Sequence, residues 1–321
     1  MADLPKSVEI VENGPREGLQ IEPGPISTDR KIALIDALSE TGLKEIQTVS
    51  FVNPKRVPAW ADADAVVRGI KMKPGVRYTA LYLNDKGLER ALAYREKLTF
   101  REAIILSASE KFLMRNQNVS FDENDQVQHR MVEILKRNGM PAETASVQAA
   151  FGCNFEGDIA LPRVIAAVER GFDIAAAHGF RLKRVSLNDT MAWATPASVK
   201  RIVGAVRERW PELKIVLHFH DTRGLGIANS YAGLEMGIDA FDASVAGLGG
   251  CPFAGHKGAA GNVCTEDLVL LCHELGIATG VDLDCLIDAA VLAEKIVGHP
   301  LPGSVMRGGT LDRMRRAASV N

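Results

Sequence analysis

Short runs of apolar and β-branched residues recur along the chain, each four to seven residues long. Runs of this length and composition, separated by polar or glycine-containing stretches, are typical of buried β-strands. The sequence predicts eight such strands, at Val8–Val11, Glu45–Val49, Arg77–Leu83, Ala103–Leu106, Thr144–Ala150, Arg184–Leu187, Ile215–His220 and Ala240–Val245.

The stretches between these strands have the apolar spacing of amphipathic helices. Thr195 followed by Pro196 is a helix start, and Gly42 after Glu40-Thr41 is a helix stop. The predicted helices are Asp29–Glu40, Ala61–Ile70, Asp85–Lys97, Asp125–Asn138, Leu161–His178, Pro196–Arg209 and Ile227–Met236. Further helical sequence follows from Glu266 onward.

Regular alternation of strand and helix predicts an α/β fold, in which a parallel sheet is covered by helices. Eight such units in 321 residues favour a (β/α)8 TIM barrel with C-terminal helical additions, and a doubly wound open sheet is the alternative. We predict a single domain over residues 1–321, with the barrel at about 8–290 and a C-terminal extension at 291–321.

The composition is that of an ordinary globular enzyme, with 46% hydrophobic and 24% charged residues. The formal net charge of −2 provides no field that would attract nucleic acid or an anionic membrane. Charged residues interrupt every apolar stretch before it reaches membrane-spanning length. We therefore expect neither nucleic acid nor membrane as a partner.

The cysteines and the N-terminus together indicate the compartment. The five cysteines are odd in number, scattered and without a CxxC pair, so we expect neither a disulfide framework nor a structural zinc site. The first residues contain no basic region followed by an apolar core, so we expect no secretory signal. These features predict a reduced, cytoplasmic protein.

The pair His218-x-His220 ends the seventh predicted strand. Side chains alternate between the two faces of a strand, so both imidazoles should point the same way. Two neutral imidazoles on one face can bind one metal ion. The alternative is that one histidine caps the strand while the other packs inside the barrel; we favour metal binding.

Arg16 and Glu17 follow the first predicted strand directly, at the carboxyl edge of the sheet where barrel enzymes carry their active sites. The guanidinium of Arg16 offers a planar fork of donors for a carbonyl or enolate oxygen. Glu17 can ligate a metal. The alternative for this segment is a surface turn with a solvated ion pair.

Two more candidates stand at the same edge. A stretch with glycines at 247, 249, 250, 255, 258 and 261 follows the last predicted strand and contains Cys251, which can act as an acid or base if the loop closes over a ligand. A flexible surface loop with an incidental thiol is the alternative.

Asp189 follows the sixth strand and can face a metal or a substrate hydroxyl, or else cap a short helix.

Taken together and in this order, these segments resemble the 3-hydroxy-3-methylglutaryl-CoA lyases, a family of metal-dependent lyases on (β/α)8 barrels. The similarity runs from about Val8 to about Val281. Its most specific stretches are GPREGLQ at 14–20, SFVNPK at 50–55, GCNFEG at 152–157, HFHDT at 218–222, VAGLGGCP at 245–252 and GNVCTED at 261–267.

The resemblance implies a role for each candidate, position by position. The implied metal ligands are His218, His220 and Asn262. The implied catalytic residues are Arg16, which stabilises a developing enolate, Asp189, which lies near the substrate hydroxyl, and Cys251, which lies on the catalytic loop. The resemblance also implies a divalent metal, Mg2+ or Mn2+, and a homodimer.

This chain departs from the family pattern at three places. Glu17 stands where the family normally has an aspartate that ligates the metal, so we include Glu17 among the metal ligands. Gln47 stands where the family usually has a glutamate; we include it among the catalytic candidates, although its amide carries no negative charge. The segment between Cys251 and Asn262 is about two residues longer, with His256-Lys257 as the insert.

The reaction that the resemblance implies is retro-Claisen cleavage of 3-hydroxy-3-methylglutaryl-CoA to acetyl-CoA and acetoacetate. The acyl-CoA thioester carries phosphates, for which the candidate cations are Lys55, Arg56 and Lys111. Because of the departures at Glu17 and Gln47, a second alternative is a related lyase or aldolase that acts on citramalyl-CoA or a 3-hydroxy-3-alkylglutaryl-CoA. A catalytically silent metal-binding barrel is the alternative from another class.

Overall fold

In the computed structural model, the described residues are 4–100, 104–249 and 261–319. Eight parallel strands form one sheet in the order β3-β2-β1-β8-β7-β6-β5-β4, which curls into a (β/α)8 TIM barrel. The strands are β1 (Glu9–Glu12), β2 (Glu45–Ser50), β3 (Arg77–Leu81), β4 (Ile104–Ser107), β5 (Thr144–Gln148), β6 (Arg184–Asn188), β7 (Lys214–His218) and β8 (Ala240–Ala243).

Helices follow the strands and cover the outside of the barrel. Those within the barrel sequence are α1 (Leu19–Ile21), α2 (Thr28–Ser39), α3 (Ala63–Gly69), α4 (Asp85–Leu92), α5 (Glu110–Gln117), α6 (Phe121–Arg137), α7 (Leu161–Ala177), α8 (Pro196–Arg209) and α9 (Gly226–Glu235). Four more come after the last strand: α10 (Thr265–Glu274), α11 (Leu283–Val297), α12 (Val305–Gly308) and α13 (Leu311–Ala318). Among the described residues, no helix has the length and apolar character needed to cross a membrane.

The alternation of each strand divides its side chains between the helices and the barrel interior. Leu187, Leu217 and Phe241 are buried in the apolar layer between strands and helices. At the amino end of the barrel, the carboxylate of Glu9 accepts hydrogen bonds from Arg184 and Lys214 at 3.0 and 3.1 Å. These ion pairs lie at the amino end, and the residues discussed below lie at the opposite, carboxyl end.

The eight predicted strands are all present, and the C-terminal helices are confirmed. Several predicted strands are too long at the carboxyl end: β3 ends at Leu81, β5 at Gln148, β7 at His218 and β8 at Ala243. After β5 the chain turns at Ala149, which has a left-handed φ of 53°. After β7 it leaves the parallel sheet, and His220 instead forms an isolated antiparallel bridge with Asn262. Apolar residues at these positions extend the hydrophobic pattern beyond the parallel strands. Ala103, the predicted start of β4, lies outside the described residues.

The helix predictions were less exact. Helix α5 was missed, because its eight residues include Arg115, Asn116 and Gln117 and are too few to show a clear apolar period. The helix predicted from Asp125 begins at Phe121, after a capping box in which Ser120 and Glu123 bond each other's backbone. Helix α8 begins at Pro196 with Thr195 as its N-cap, as predicted. The helices predicted from Ala61 and Asp85 are shorter in the structure. The predicted domain limits stay a prediction.

Candidate active site

Three side chains from two separate segments converge at the carboxyl end of the barrel. The Nε2 atoms of His218 and His220 lie 3.2 Å apart, and the Oε1 atom of Glu17 lies 3.2 Å from Nε2 of His220. All three residues are buried, with at most 9% of their surface exposed. Adjacent ligands of an octahedral ion, bound at about 2.1 Å, lie about 3 Å apart. The spacing of these donors therefore fits a single divalent ion.

Asn262 completes a set of four possible ligands. It pairs with His220 in an isolated antiparallel β-bridge. Its amide nitrogen donates to Oγ of Ser244 at 2.8 Å and to the carbonyl of Leu248 at 3.1 Å. Its Oδ1 atom is buried and has no hydrogen-bond partner among the described residues. A buried amide oxygen held in a fixed direction without a donor suits a hard cation.

The loop after β1 presents Arg16 and Glu17 together. Residues Gly14–Gly18 form one π-helical turn that starts directly beyond the strand. Nη2 of Arg16 lies 3.0 Å from Oε2 of Glu17, and Nε1 of Trp60 donates to the carbonyl of Arg16 at 3.0 Å. One Glu17 oxygen thus meets the guanidinium and the other faces the imidazoles.

Gln47 is directly involved in holding Arg16. Its Oε1 atom accepts a hydrogen bond from Nε of Arg16. The amide orients the guanidinium through this bond and adds no negative charge beside it. The structure therefore brings Arg16, Glu17 and Gln47 into one contact group beside the histidines.

Asp189 lies beside this cluster on the turn after β6. Its Oδ1 atom accepts hydrogen bonds from the backbone of Trp193 at 2.6 Å and Ala194 at 3.0 Å. Its Oδ2 atom is buried without a hydrogen-bond partner among the described residues. Asp189 thus caps a turn, whereas the predicted alternative was the cap of a short helix, and residues 190–195 form no helix. Its second oxygen makes none of these bonds.

Asp242 is a further residue of the candidate site, and no sequence pattern indicated it. Its Oδ2 atom lies 3.2 Å from Nδ1 of His218, because β7 and β8 pair in a register that puts the two residues side by side. A carboxylate on Nδ1 favours the tautomer in which Nε2 is free to bind a metal. The register between β7 and β8 brings Asp242 and His218 together, and no pattern within a single segment predicts that register.

Burial and neighbouring charges shift the acidities of these groups. Burial alone would raise the pKa of Glu17, but the charge of Arg16 and the bond to His220 hold it well below its usual range. Burial raises the pKa of Asp189 to about 6, with His220 and the backbone bonds acting in the opposite direction. Burial opposes a raised pKa at His218, yet the bond to Asp242 and the charge of Glu17 raise it. Glu17 is thus ionised at neutral pH, as a ligand must be.

A cavity of about 770 Å³ opens in front of the cluster. Its lining includes Arg16, Glu17 and both histidines, together with two further cations, Arg56 and Arg115. Arg56 was predicted from the sequence to meet an anionic substrate. Arg115 was missed because it lies on the unpredicted helix α5. Lys55 and Lys111 are exposed.

Cys251 and the insert His256-Lys257 lie outside the described residues, so their predicted roles stay predictions. The four described cysteines, Cys153, Cys264, Cys272 and Cys285, are all free thiols. Residue 249, the last described one before the gap, already approaches the site. A Cβ built on Gly249 would lie 2.4 Å from Nδ2 of Asn262 and 3.2 Å from Cγ of Glu17.

Comparison with known proteins shows the family of this chain. The HMGL-like family model matches residues 7–292. The chain is 41% identical over 304 residues to the hydroxymethylglutaryl-CoA lyase of Bacillus subtilis, covering 93% of this chain and 96% of that one. It is 43% identical over 289 residues to the 3-hydroxy-3-isohexenylglutaryl-CoA/hydroxymethylglutaryl-CoA lyase of Pseudomonas aeruginosa, covering 89% of this chain and 92% of that one.

A solved structure resembles the whole fold. The HMG-CoA lyase of Acinetobacter baumannii, in complex with coenzyme A and 3-methylmalate, superposes with a TM-score of 0.85. The two chains are 38% identical, and the match covers 97% of each. The chain therefore belongs to the HMGL-like family, as a carbon–carbon lyase of the hydroxymethylglutaryl-CoA lyase type.

Proposed function

We propose that the protein cleaves 3-hydroxy-3-methylglutaryl-CoA to acetyl-CoA and acetoacetate. The observation that carries this proposal is the convergence of Glu17, His218 and His220 within ligand distance of one another, with Arg16 paired to the same glutamate. The names of the relatives from Bacillus subtilis and Pseudomonas aeruginosa support the same substrate.

The proposed metal ligands are Glu17, His218, His220 and Asn262, and the proposed ion is Mg2+ or Mn2+. Two oxygens and two imidazole nitrogens make a mixed donor set with no thiolate, which suits these ions better than soft metals. When bound, such an ion supplies a Lewis acid that polarises substrate oxygens and lowers the pKa of a hydroxyl.

The protein's own residues divide the proton and charge movements between them. Asp189, through its unpartnered Oδ2, accepts the proton of the substrate 3-hydroxyl. The C2–C3 bond then breaks: its electrons pass to the thioester half as an enolate, and C3 becomes the ketone carbon of acetoacetate. Arg16, held in place by Gln47 and Glu17, stabilises the enolate oxygen.

Protonation of the enolate completes the reaction. Cys251 is the proposed acid, because it follows Gly249 by two residues in the sequence and Gly249 itself lies beside Asn262 and Glu17. The thiol gives its proton to C2 of the enolate. Asp189 releases the proton it received, and the thiolate regains one from solvent. The products therefore form with no net uptake of protons.

Arg56 and Arg115 are proposed to receive the anionic part of the CoA thioester. Both line the cavity that is also lined by Glu17, His218 and His220. Their guanidinium groups can pair with phosphate through two parallel hydrogen bonds. Substitution of either by alanine should raise KM for the CoA substrate with a smaller effect on kcat.

The direct test measures acetoacetate release by purified protein that has been stripped of metal with a chelator. We expect activity to vanish on stripping and to return with Mg2+ or Mn2+. The variant His218→Ala should stay inactive under both conditions. His273→Ala, which changes an exposed histidine bonded to Thr279, serves as the matched control and should retain activity. Wild-type protein that fails to cleave the substrate with either ion would contradict the proposal.

A second substrate class is a 3-hydroxy-3-alkylglutaryl-CoA with a longer alkyl chain. The cavity wall includes the apolar side chains of Leu81, Leu83 and Phe112, and the Pseudomonas aeruginosa relative is named for an isohexenyl substrate. Comparison of kcat/KM for methyl, longer alkyl and citramalyl-CoA substrates separates these possibilities. Equal or higher kcat/KM for the long-chain substrate would favour this second class.

We also propose a homodimer in the cytoplasm. The four free thiols among the described cysteines are consistent with a reducing compartment. Light scattering on the purified protein tests the mass, for which a dimer should give twice the 34.7 kDa of one chain. Fractionation of the cells tests the location.

A further inference from the structure

The carboxylate of Glu12, the last residue of β1, is buried behind the candidate active site. Glu12 has 0% of its surface exposed and is not among the residues that line the cavity. It accepts three hydrogen bonds: from the backbone of Gly14 at 2.7 Å, from the backbone of Val245 at 2.9 Å and from Oγ1 of Thr265 at 2.6 Å. The two backbone amides share Oε1, and the hydroxyl meets Oε2.

These three donors belong to three different segments of the chain. Gly14 begins the π-helical turn that carries Arg16 and Glu17. Val245 begins the turn Val245–Gly247, which leads toward residue 249. Thr265 lies three residues after Asn262. One carboxylate thus joins two segments. The first is the loop after β1, which carries Glu17, and the second is the segment that begins at residue 261, which carries Asn262. Each segment supplies one proposed ligand oxygen.

The packing around Glu12 leaves little room for these segments to move relative to one another. A Cβ built on Gly14 would lie 2.5 Å from Oε1 of Glu12 and 3.0 Å from Cγ1 of Val245. A Cβ on Gly18, at the other end of the turn, would lie 2.5 Å from Cβ of Leu248. Because the backbone is closely packed at both Gly14 and Gly18, a shift of Glu12 would also shift the π-helical turn between them.

We propose that Glu12 is a positioning residue, which sets the distance between the Glu17 loop and the Asn262 segment so that both reach the same ion. This inference rests on the proposed metal site. Among the described residues, the hydrogen bonds of the Glu12 carboxylate go to Gly14, Val245 and Thr265 and not to a proposed ligand, so Glu12 acts through these three residues. A metal site tolerates displacements of only a few tenths of an ångström, which is why a link of this kind matters.

The chemistry of the carboxylate explains why a glutamate serves here. Its two oxygens accept hydrogen bonds in two directions, from the backbone on one side and from the hydroxyl on the other. A glutamine keeps one acceptor oxygen for the amides of Gly14 and Val245, and its NH2 group can donate to Oγ1 of Thr265, which then accepts. Glu12→Gln therefore preserves all three links with one of them reversed, whereas Glu12→Ala removes all three.

The experiment compares Thr265→Val, Glu12→Gln and Glu12→Ala with the wild type. Thr265→Val is the central variant, because it removes a single hydroxyl from a similar volume and leaves Glu12 in place. Thr41→Val is its matched control: Thr41 is equally buried, and its hydroxyl donates to the carbonyl of Leu38 at 2.7 Å, away from the site. Thermal unfolding establishes that each variant folds.

Two measurements report positioning. The first is Mn2+ affinity by calorimetry in the absence of substrate: Thr265→Val should weaken it about 10-fold, at the low end of what is lost when a group bonded directly to a ligand is removed, because Thr265 acts through Glu12. Thr41→Val and Glu12→Gln should stay near the wild-type value. The second is hydrogen exchange at the amides of Gly14 and Val245 in the metal-free protein, which should speed up in Glu12→Ala and, to a smaller extent, in Thr265→Val.

The outcomes separate this inference from the proposed function. Wild-type affinity in Thr265→Val, or unchanged exchange at Gly14 and Val245 in the variants, overturns the positioning role. Weakened affinity in Thr265→Val and Thr41→Val alike also overturns it, because a general loss of stability would then explain both. Failure of the wild type to bind Mn2+ counts against the proposed metal site, while the exchange measurement still decides whether Glu12 fixes the two loops.

Discussion

The contact between Asp242 and His218 yields the most specific prediction about metal binding. Oδ2 of Asp242 lies 3.2 Å from Nδ1 of His218. The change Asp242→Ala removes this acceptor and leaves the imidazole free to rotate or to take the other tautomer. Nε2 of His218 would then be presented to the ion only part of the time.

The size of the effect follows from the length of this bond. Hydrogen bonds to charged groups contribute about 1.5–3 kcal/mol. Charge-assisted N–H···O bonds are typically about 2.7–2.9 Å long, so a separation of 3.2 Å places this one at the weak end, at about 1.5–2 kcal/mol. Since about 1.4 kcal/mol corresponds to a tenfold change in Kd, Asp242→Ala should weaken Mn2+ binding about 10- to 30-fold. Asp242→Asn keeps an acceptor oxygen, and its loss should be only a few-fold.

Calorimetric titration of Mn2+ into chelator-treated protein measures these affinities. The control is Asp239→Ala, which removes the same charge from the residue just before β8. Asp239 is half exposed and lies 3.7 Å from Lys214 at the opposite end of the barrel, so its loss should leave Kd unchanged. If Asp242→Ala folds and binds Mn2+ as tightly as the wild type, the role assigned to Asp242 is wrong.

Three further predictions concern the same site. Gly249→Ala should lower both metal affinity and kcat, because its Cβ would meet Asn262 at 2.4 Å; Gly276→Ala, which has a similar positive φ but open space around it, controls for backbone strain alone. With Asp189 as base and its pKa raised by burial to about 6, kcat should fall as pH drops through that value, and a rate that stays constant well below it would contradict the assignment. Cys251→Ala should reduce turnover strongly while Mn2+ affinity stays the same, and unchanged turnover would remove its proposed role as the acid.

The sequence pattern predicted the fold because each element carries its own signal. Apolar β-branched runs identify strands wherever both faces are buried, as in the stretch that ends at His218. The ends of β5 and β8 were predicted too late because the turns that follow them, with left-handed residues at Ala149 and Ala246, carry apolar residues that the pattern cannot distinguish from strand. The short helix α5, with Arg115 on it, was missed for the opposite reason: it contains too few apolar residues to show a period.

The sequence predicted which side chains of the candidate site lie close together where one segment supplies two of them. His218 and His220 are two residues apart, so strand alternation alone placed their imidazoles together, even though β7 ends at His218 and His220 lies beyond it. Asp242 and Glu12 contact segments that are adjacent in the barrel but distant along the chain. Asp242 lies 24 residues from His218, and Glu12 lies 233 and 253 residues from its partners Val245 and Thr265. The pairing of strands in the barrel brings these residues together, and the spacing of residues within one segment cannot predict it.

The glutamate at position 17, where the family normally has aspartate, raises a question of space that the structure answers. Its longer side chain still has one oxygen 3.2 Å from His220 and the other 3.0 Å from Arg16, so the added methylene must be accommodated behind the carboxylate. The space for it lies beside Gly249, which has no Cβ. A Cβ at this position would lie 3.2 Å from Cγ of Glu17. Gln47 then binds Arg16 without adding a second carboxylate to a guanidinium that Glu17 already neutralises. The two departures are therefore compatible with each other: the longer acid takes the charged contact with Arg16, and the amide supplies the neutral one.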